Sequence, residues 1–161
     1  MDWKSDKELA QEYFEKGYEL QMQGKLTEAI VNYRKSIELC PTAEAHTFLG
    51  WTYSFQGLHD NAILECKKAI ELDPDFGNPY NDIGAYLIEK DRLDEAIPWL
   101  EKATQAKRYE SYCYPHYNLG RVYEKKGKWF QAMKSYEDSL RENKDYTLAV
   151  RALNRLKALF N

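Results

Sequence analysis

Four glycines, Gly17, Gly50, Gly84 and Gly120, recur at spacings of 33, 34 and 36 residues. No single feature of the chain restricts its fold more. Each is followed twelve residues on by an alanine: Ala29, Ala62, Ala96 and Ala132. Seven residues beyond each alanine sits another small residue, Ser36, Ala69, Ala103 or Ser139. A larger one lies between the two: Tyr33, Cys66, Leu100 and Tyr136. A turn residue, Gly24, Gly57, Asp91 or Gly127, separates glycine from alanine. Four copies in one register describe a stack of identical supersecondary units.

Each copy reads as a helix pair. Small side chains mark the crossing, where two helices approach closely. Leu20, Tyr53, Leu87 and Tyr123 fill the space beside them on the first helix. The turn residues suit a left-handed helix C-cap. Pro41 and Pro74 end the second helices of copies one and two, whereas Pro79 and Pro115 fall in the first turn of a helix, where proline is tolerated. Ser5-Asp6-Lys7-Glu8 reads as a capping box that opens the first helix.

Period and pattern together resemble the tetratricopeptide repeat, as in Phe48-Leu49-Gly50-Trp51-Thr52-Tyr53 and in Asn61-Ala62-Ile63 through Ala69 with Pro74. The resemblance implies an all-α fold, a right-handed α-solenoid forming a single domain over 1–161. Its repeats run about 10–42, 43–76, 77–112 and 113–146, with a capping helix over 147–160. The family's early tryptophan is replaced by Tyr13, His46, Tyr80 and His116, and its closing proline by Arg108 and Lys144. Copy three runs two residues long, so 105–114 is expected as an irregular connector carrying half-buried tyrosines. Ala149, Ala152, Leu153, Leu156, Leu159 and Phe160 recur at helical spacing, as a helix that covers the last open face of a stack requires.

Composition narrows the function. A chain that is 43% hydrophobic and 14% aromatic is no disordered segment. The uncharged stretch between Thr47 and Leu58 is broken by Thr52, Ser54 and Gln56, so no segment reads as membrane-spanning. The acidic N-terminus has no apolar leader, and Cys40, Cys66 and Cys113 are odd in number and widely spaced. Both suggest reduced thiols and a cytoplasmic protein. Residues 1–120 hold 13 Lys/Arg against 21 Asp/Glu, and residues 121–161 hold 10 against 5. That acidic majority argues against a nucleic-acid partner. The split leaves room for self-association of acidic front with basic end, although a solvated basic helix surface is the favoured reading.

No catalytic constellation stands out, and no enzyme activity is expected. His46, His59 and His116 are scattered, and the first and last occupy positions where an aromatic packs. Cys113 and His116 have metal-like spacing without a second ligand pair, so no metal or cofactor is expected. In the family, first helices line a concave groove. Carried onto this chain, the resemblance implies Phe14, Tyr18 and Met22 from copy one and Thr47, Trp51 and Phe55 from copy two. Copy three supplies Asn78, Asn81 and Ile88, and copy four Tyr114, Tyr117 and Arg121. Aromatics and arginine are what binding hot spots favour. The expected function is a non-catalytic adaptor or scaffold that holds a protein or peptide partner there, with no membrane partner. A small cytosolic chaperone for secreted proteins and a self-associating structural module are the alternatives. The carboxylate clamp of the family's co-chaperones is not expected. Its five positions, which the family fills with three cations and two asparagines, hold Phe14, Tyr18, Phe48, Asn78 and Asp82 in one register, and Thr47, Trp51, Asp82, Tyr114 and Asn118 in the other, with no cation in either.

Overall fold

The computed structural model describes residues 3–161. Among these, nine α-helices form the fold: α1 (Asp6–Met22), α2 (Leu26–Leu39), α3 (Ala43–Phe55), α4 (His59–Leu72), α5 (Asn78–Glu89), α6 (Leu93–Gln105), α7 (Cys113–Lys125), α8 (Trp129–Glu142) and α9 (Thr147–Leu159). The fold is all-α, of the tandem helix-pair solenoid class. No helix among the described residues is long and apolar enough to cross a membrane. The chain divides into two compact units, Met1–Pro74 with α1–α4 and Asp75–Asn161 with α5–α9.

In every pair the first-helix glycine meets the large residue of the second helix. A Cβ on Gly17 would lie 2.8 Å from the Tyr33 ring, and one on Gly84 2.3 Å from Leu100. At Gly120 it would lie 2.3 Å from Tyr136, and at Gly50 2.9 Å from the Ala62 carbonyl oxygen. Tyr33, Cys66, Leu100 and Tyr136 are all buried at those crossings.

The turns close with one recurring bond. The amides of Lys25, Leu58, Arg92 and Lys128 donate to the carbonyls of Leu20, Tyr53, Leu87 and Tyr123, at 2.8–3.1 Å. That pattern requires a left-handed residue just before, and Gly24, Gly57 and Gly127 supply it at φ +71 to +76°. Asp91 does so at φ +57°, the one non-glycine residue with positive φ among those described. The capping box forms as expected: the Glu8 amide donates to Ser5 Oγ and the Ser5 amide to the Glu8 carboxylate.

The segment between α6 and α7 is irregular, and its tyrosines Tyr109 and Tyr112 are half-buried. It is nevertheless anchored by backbone within its own unit. Arg108 N–H donates to Asp75 O at 2.9 Å and Gly77 N–H to Arg108 O at 3.0 Å. Tyr109 packs where a Gly77 side chain would stand, and the Arg108 guanidinium lies 4.1 Å over the Phe76 ring. In α9 Ala149 is buried, and Ala152, Leu153 and Leu156 pack against Ala132 and Tyr136 of α8. Leu159 and Phe160, expected on the same stripe, are exposed; Phe160 instead stacks on Phe130 in the first turn of α8, at 5.7 Å.

Candidate functional site

In the unit Met1–Pro74, α1 and α3 share one aromatic surface. Phe14, Tyr18 and Met22 follow one another at four-residue steps on α1, so they stand on one face. On α3, Phe48, Trp51 and Phe55 follow at steps of three and four residues and also share a face. The rings interlock edge to face. Phe48 is the hub, with centroid distances of 5.3 Å to Phe14, 5.7 Å to Tyr18 and 5.7 Å to Trp51. Trp51 continues to Phe55 at 5.3 Å. Phe14 and Phe48 rest on buried Tyr33, so the row is braced from behind by a core residue. Its outer members remain open: Tyr18 is 44%, Met22 51% and Phe55 57% exposed.

Beneath the row lies a small polar cluster. The Tyr33 hydroxyl donates to the Gln21 side-chain carbonyl at 2.7 Å, and Thr52 Oγ1 donates to it at 3.0 Å. Burial pushes the Tyr33 hydroxyl far above its ordinary pKa. Thr47, expected to line the groove, is 3% exposed and donates its hydroxyl to the Ala43 carbonyl of its own helix at 2.7 Å. It supports the wall and presents nothing. A pocket of about 550 Å³ opens at the N-terminal end of the row, lined by Gln11 and Phe14 of α1, Ser36 and Cys40, and Thr42 and Glu44.

The expected groove residues of the unit Asp75–Asn161 make a different surface. Asn81 is buried and accepts a hydrogen bond from Asn118 Nδ2 at 2.9 Å; Arg121 donates to Asn118 Oδ1 at 3.1 Å and to Glu89 at 3.0 Å. Asn78 is half-buried and lines a small pocket with Phe76, Arg108 and Tyr109. Ile88 is 2% exposed and belongs to the core. Tyr114 and Tyr117 each stand 5.3 Å from the Tyr146 ring just before α9, and Tyr117 also packs on Tyr136. The tyrosines thus brace the terminal helix, and Arg121 and the outer edge of Tyr114 remain the accessible features. Burial holds the Asp82 carboxyl up at about 7, opposed by a hydrogen bond from Asn81.

His46 is buried with Nδ1 2.6 Å from Glu65, itself bonded to Lys68, so its polar edge has a structural partner. Among the described residues no three His, Cys, Asp or Glu side chains converge as metal ligands. Phe48 is the residue that sequence reasoning omitted from the groove. Its signal was present, since 48, 51 and 55 follow the i, i+3, i+7 rhythm of one helix face.

Tetratricopeptide-repeat family models match residues 13–42, 43–76, 65–97 and 113–146. The type IV pilus assembly protein PilF of Pseudomonas aeruginosa is 31% identical over 146 residues, 88% of this chain and 58% of that protein. An Hsp70-Hsp90 organizing protein of Glycine max is 34% identical over 93 residues, 57% of this chain and 16% of its own length. The chain therefore spans well under two thirds of these relatives. A solved structure of Pseudomonas aeruginosa PilF superposes with a TM-score of 0.87 at 28% identity, over 94% of this chain and 68% of that one.

Proposed function

Because the chain belongs to the tetratricopeptide-repeat family, whose members here carry names of assembly and organizing proteins, we propose that it is a non-catalytic adaptor. It holds a partner segment against the aromatic row of α1 and α3. The observation that carries this reading is the exposure of Tyr18, Met22 and Phe55 on a row whose inner rings are locked by Phe48 and Tyr33. A rigid aromatic surface loses little side-chain entropy on binding, which is why such residues dominate interface energetics. The arrangement suits an amphipathic helix or extended segment that sets apolar anchors at i, i+3 or i+4, and i+7. From PilF we carry over only the class of role, assembly of other proteins. The carboxylate clamp of the family's co-chaperones is not part of this reading, because Phe14, Asn78 and Asp82 stand where its cations would.

The test compares wild type with the Tyr18→Ala/Trp51→Ala double variant in affinity capture from the source lysate, read by mass spectrometry. A protein retained by wild type and lost with the variant, at unchanged helicity, supports the groove. Equal capture by both moves binding to another surface.

A further inference from the structure

The charge around the aromatic row is one-sided. Residues 1–74 carry 13 Asp/Glu against 8 Lys/Arg. The two helices that form the row hold 6 Asp/Glu and 2 Lys, and α3 has no Lys or Arg along its whole length. On α1, Glu8, Glu15 and Glu19 fall at i, i+7 and i+11, a stripe running beside Phe14, Tyr18 and Met22. Gln11 Nε2 donates to Glu15 at 2.9 Å, which holds that carboxylate next to the groove. The Ser5 amide and hydroxyl keep the Glu8 carboxyl below its ordinary pKa, so it stays ionised. Of the two lysines, Lys16 pairs with Glu19 at 3.6 Å and Lys7 lines the same pocket as Glu8 and Glu44.

We infer that the occupant of this groove is a cationic amphipathic segment, with apolar anchors on the aromatic row and Lys or Arg along the α1 acidic stripe. The inference rests on the groove reading above and names its partner class. The apolar face of such a segment meets Tyr18, Met22, Trp51 and Phe55. Its cations run beside Glu15 and Glu19 and lie over the faces of Tyr18 and Trp51, where the ring quadrupole attracts them. An acidic segment of equal apolarity meets like charge along the whole stripe, which is a strong source of discrimination.

The probes are three fluorescein-labelled, fourteen-residue amphipathic peptides sharing one leucine pattern, with Lys, Gln or Glu at every polar position, followed by anisotropy. Expected is that the Leu/Lys peptide binds about tenfold or more tighter than Leu/Gln, with Leu/Glu weakest. Raising salt from about 50 to about 300 mM should erase most of that difference, as screening of exposed charges requires. The Glu15→Lys/Glu19→Lys variant should lose the preference for Leu/Lys while keeping its affinity for Leu/Gln. Glu28→Lys/Glu38→Lys makes the same charge change on exposed positions of α2 and should keep the preference. Equal loss in both variants would overturn the inference, since attraction would then follow net charge alone. Leu/Glu binding as tightly as Leu/Lys would overturn it too, and the groove would survive if Tyr18→Ala/Trp51→Ala still abolished that binding. Should that double variant bind all three peptides like wild type, the groove reading itself fails.

Discussion

Gly84 and Leu100 are neighbours across a helix crossing because one has no side chain and the other fills the space. A Cβ on Gly84 would stand 2.3 Å from one Leu100 methyl and 2.4 Å from its Cγ, and Leu100 is fully buried. Gly84→Ala should therefore cost about 1–3 kcal/mol through overpacking, despite alanine's better helix propensity. Gly84→Ala/Leu100→Ala should cost less than the two single changes combined, because the second substitution makes room for the first. Urea unfolding of all three variants checks this; strict additivity would mean that the two residues are not packed as described. Asp82 offers a second test. Its folded pKa of about 7 lies above the unfolded carboxylate value, so the folded state binds more protons between roughly pH 4 and 7. The favourable contribution is complete below the unfolded value and is lost as pH rises to about 7, after which the curve is flat. Asp82→Asn should remove that slope and raise stability at pH 8 by up to a few kcal/mol, at about 1.4 kcal/mol per pKa unit. Thermal unfolding from pH 4 to 8 reads it directly, and parallel curves for wild type and variant would contradict the raised pKa of Asp82.

At the scale of the element, the turn between helices is where local sequence speaks most plainly. Asp91 occupies the left-handed position that glycine fills in the other three turns, at φ +57°. Asp91→Gly should relieve the strain of a side chain there and stabilise the protein by about 0.5 kcal/mol, net of the added freedom of the unfolded chain. Gly57→Ala, with φ +74° and open space around the Cβ, should destabilise by about 1 kcal/mol through backbone strain alone. A melting temperature that falls for Asp91→Gly would contradict the assignment. These turns, the glycine crossings and the Ser5 cap were legible because each depends on residue type at a fixed local spacing. The pairing of Arg108 with Asp75 and Gly77 was not, since backbone bonds between distant segments leave no side-chain period. The groove was legible only in part. Phe14, Tyr18, Trp51 and Phe55 stand together as positions on one face would. Thr47, Asn81 and Ile88 are buried, because a family position fixes a direction on the helix and leaves depth to the neighbouring side chains. Phe48 was passed over because it lies between positions usually counted as groove, although its ring joins Phe14, Tyr18 and Trp51.

For the whole molecule, the physics of repeats sets the expectation. In a repeat protein stability is approximately a sum of local terms, so damage should stay local. Leu156 of α9 is fully buried against the cluster of Ala132, Tyr136, Ala152 and Leu153, with Tyr117 and Tyr123 at its margin. Leu156→Ala should cost about 2–5 kcal/mol, as large-to-small core changes do. The informative readout is where that loss appears. Native-state hydrogen exchange should quicken in α8 and α9 and leave the amides of α1 and α2 nearly as protected as in wild type, because local opening then requires only the terminal helix to detach. A uniform rise in exchange from α1 to α9 would show one cooperative unit instead. The distinction bears on function. Loss confined to α8 and α9 leaves Phe48 and Tyr33 bracing the aromatic row, so the Leu156→Ala protein should bind the Leu/Lys peptide with wild-type affinity at a temperature where α9 has already frayed. Weakened binding under those conditions would mean that the row depends on the far end of the chain.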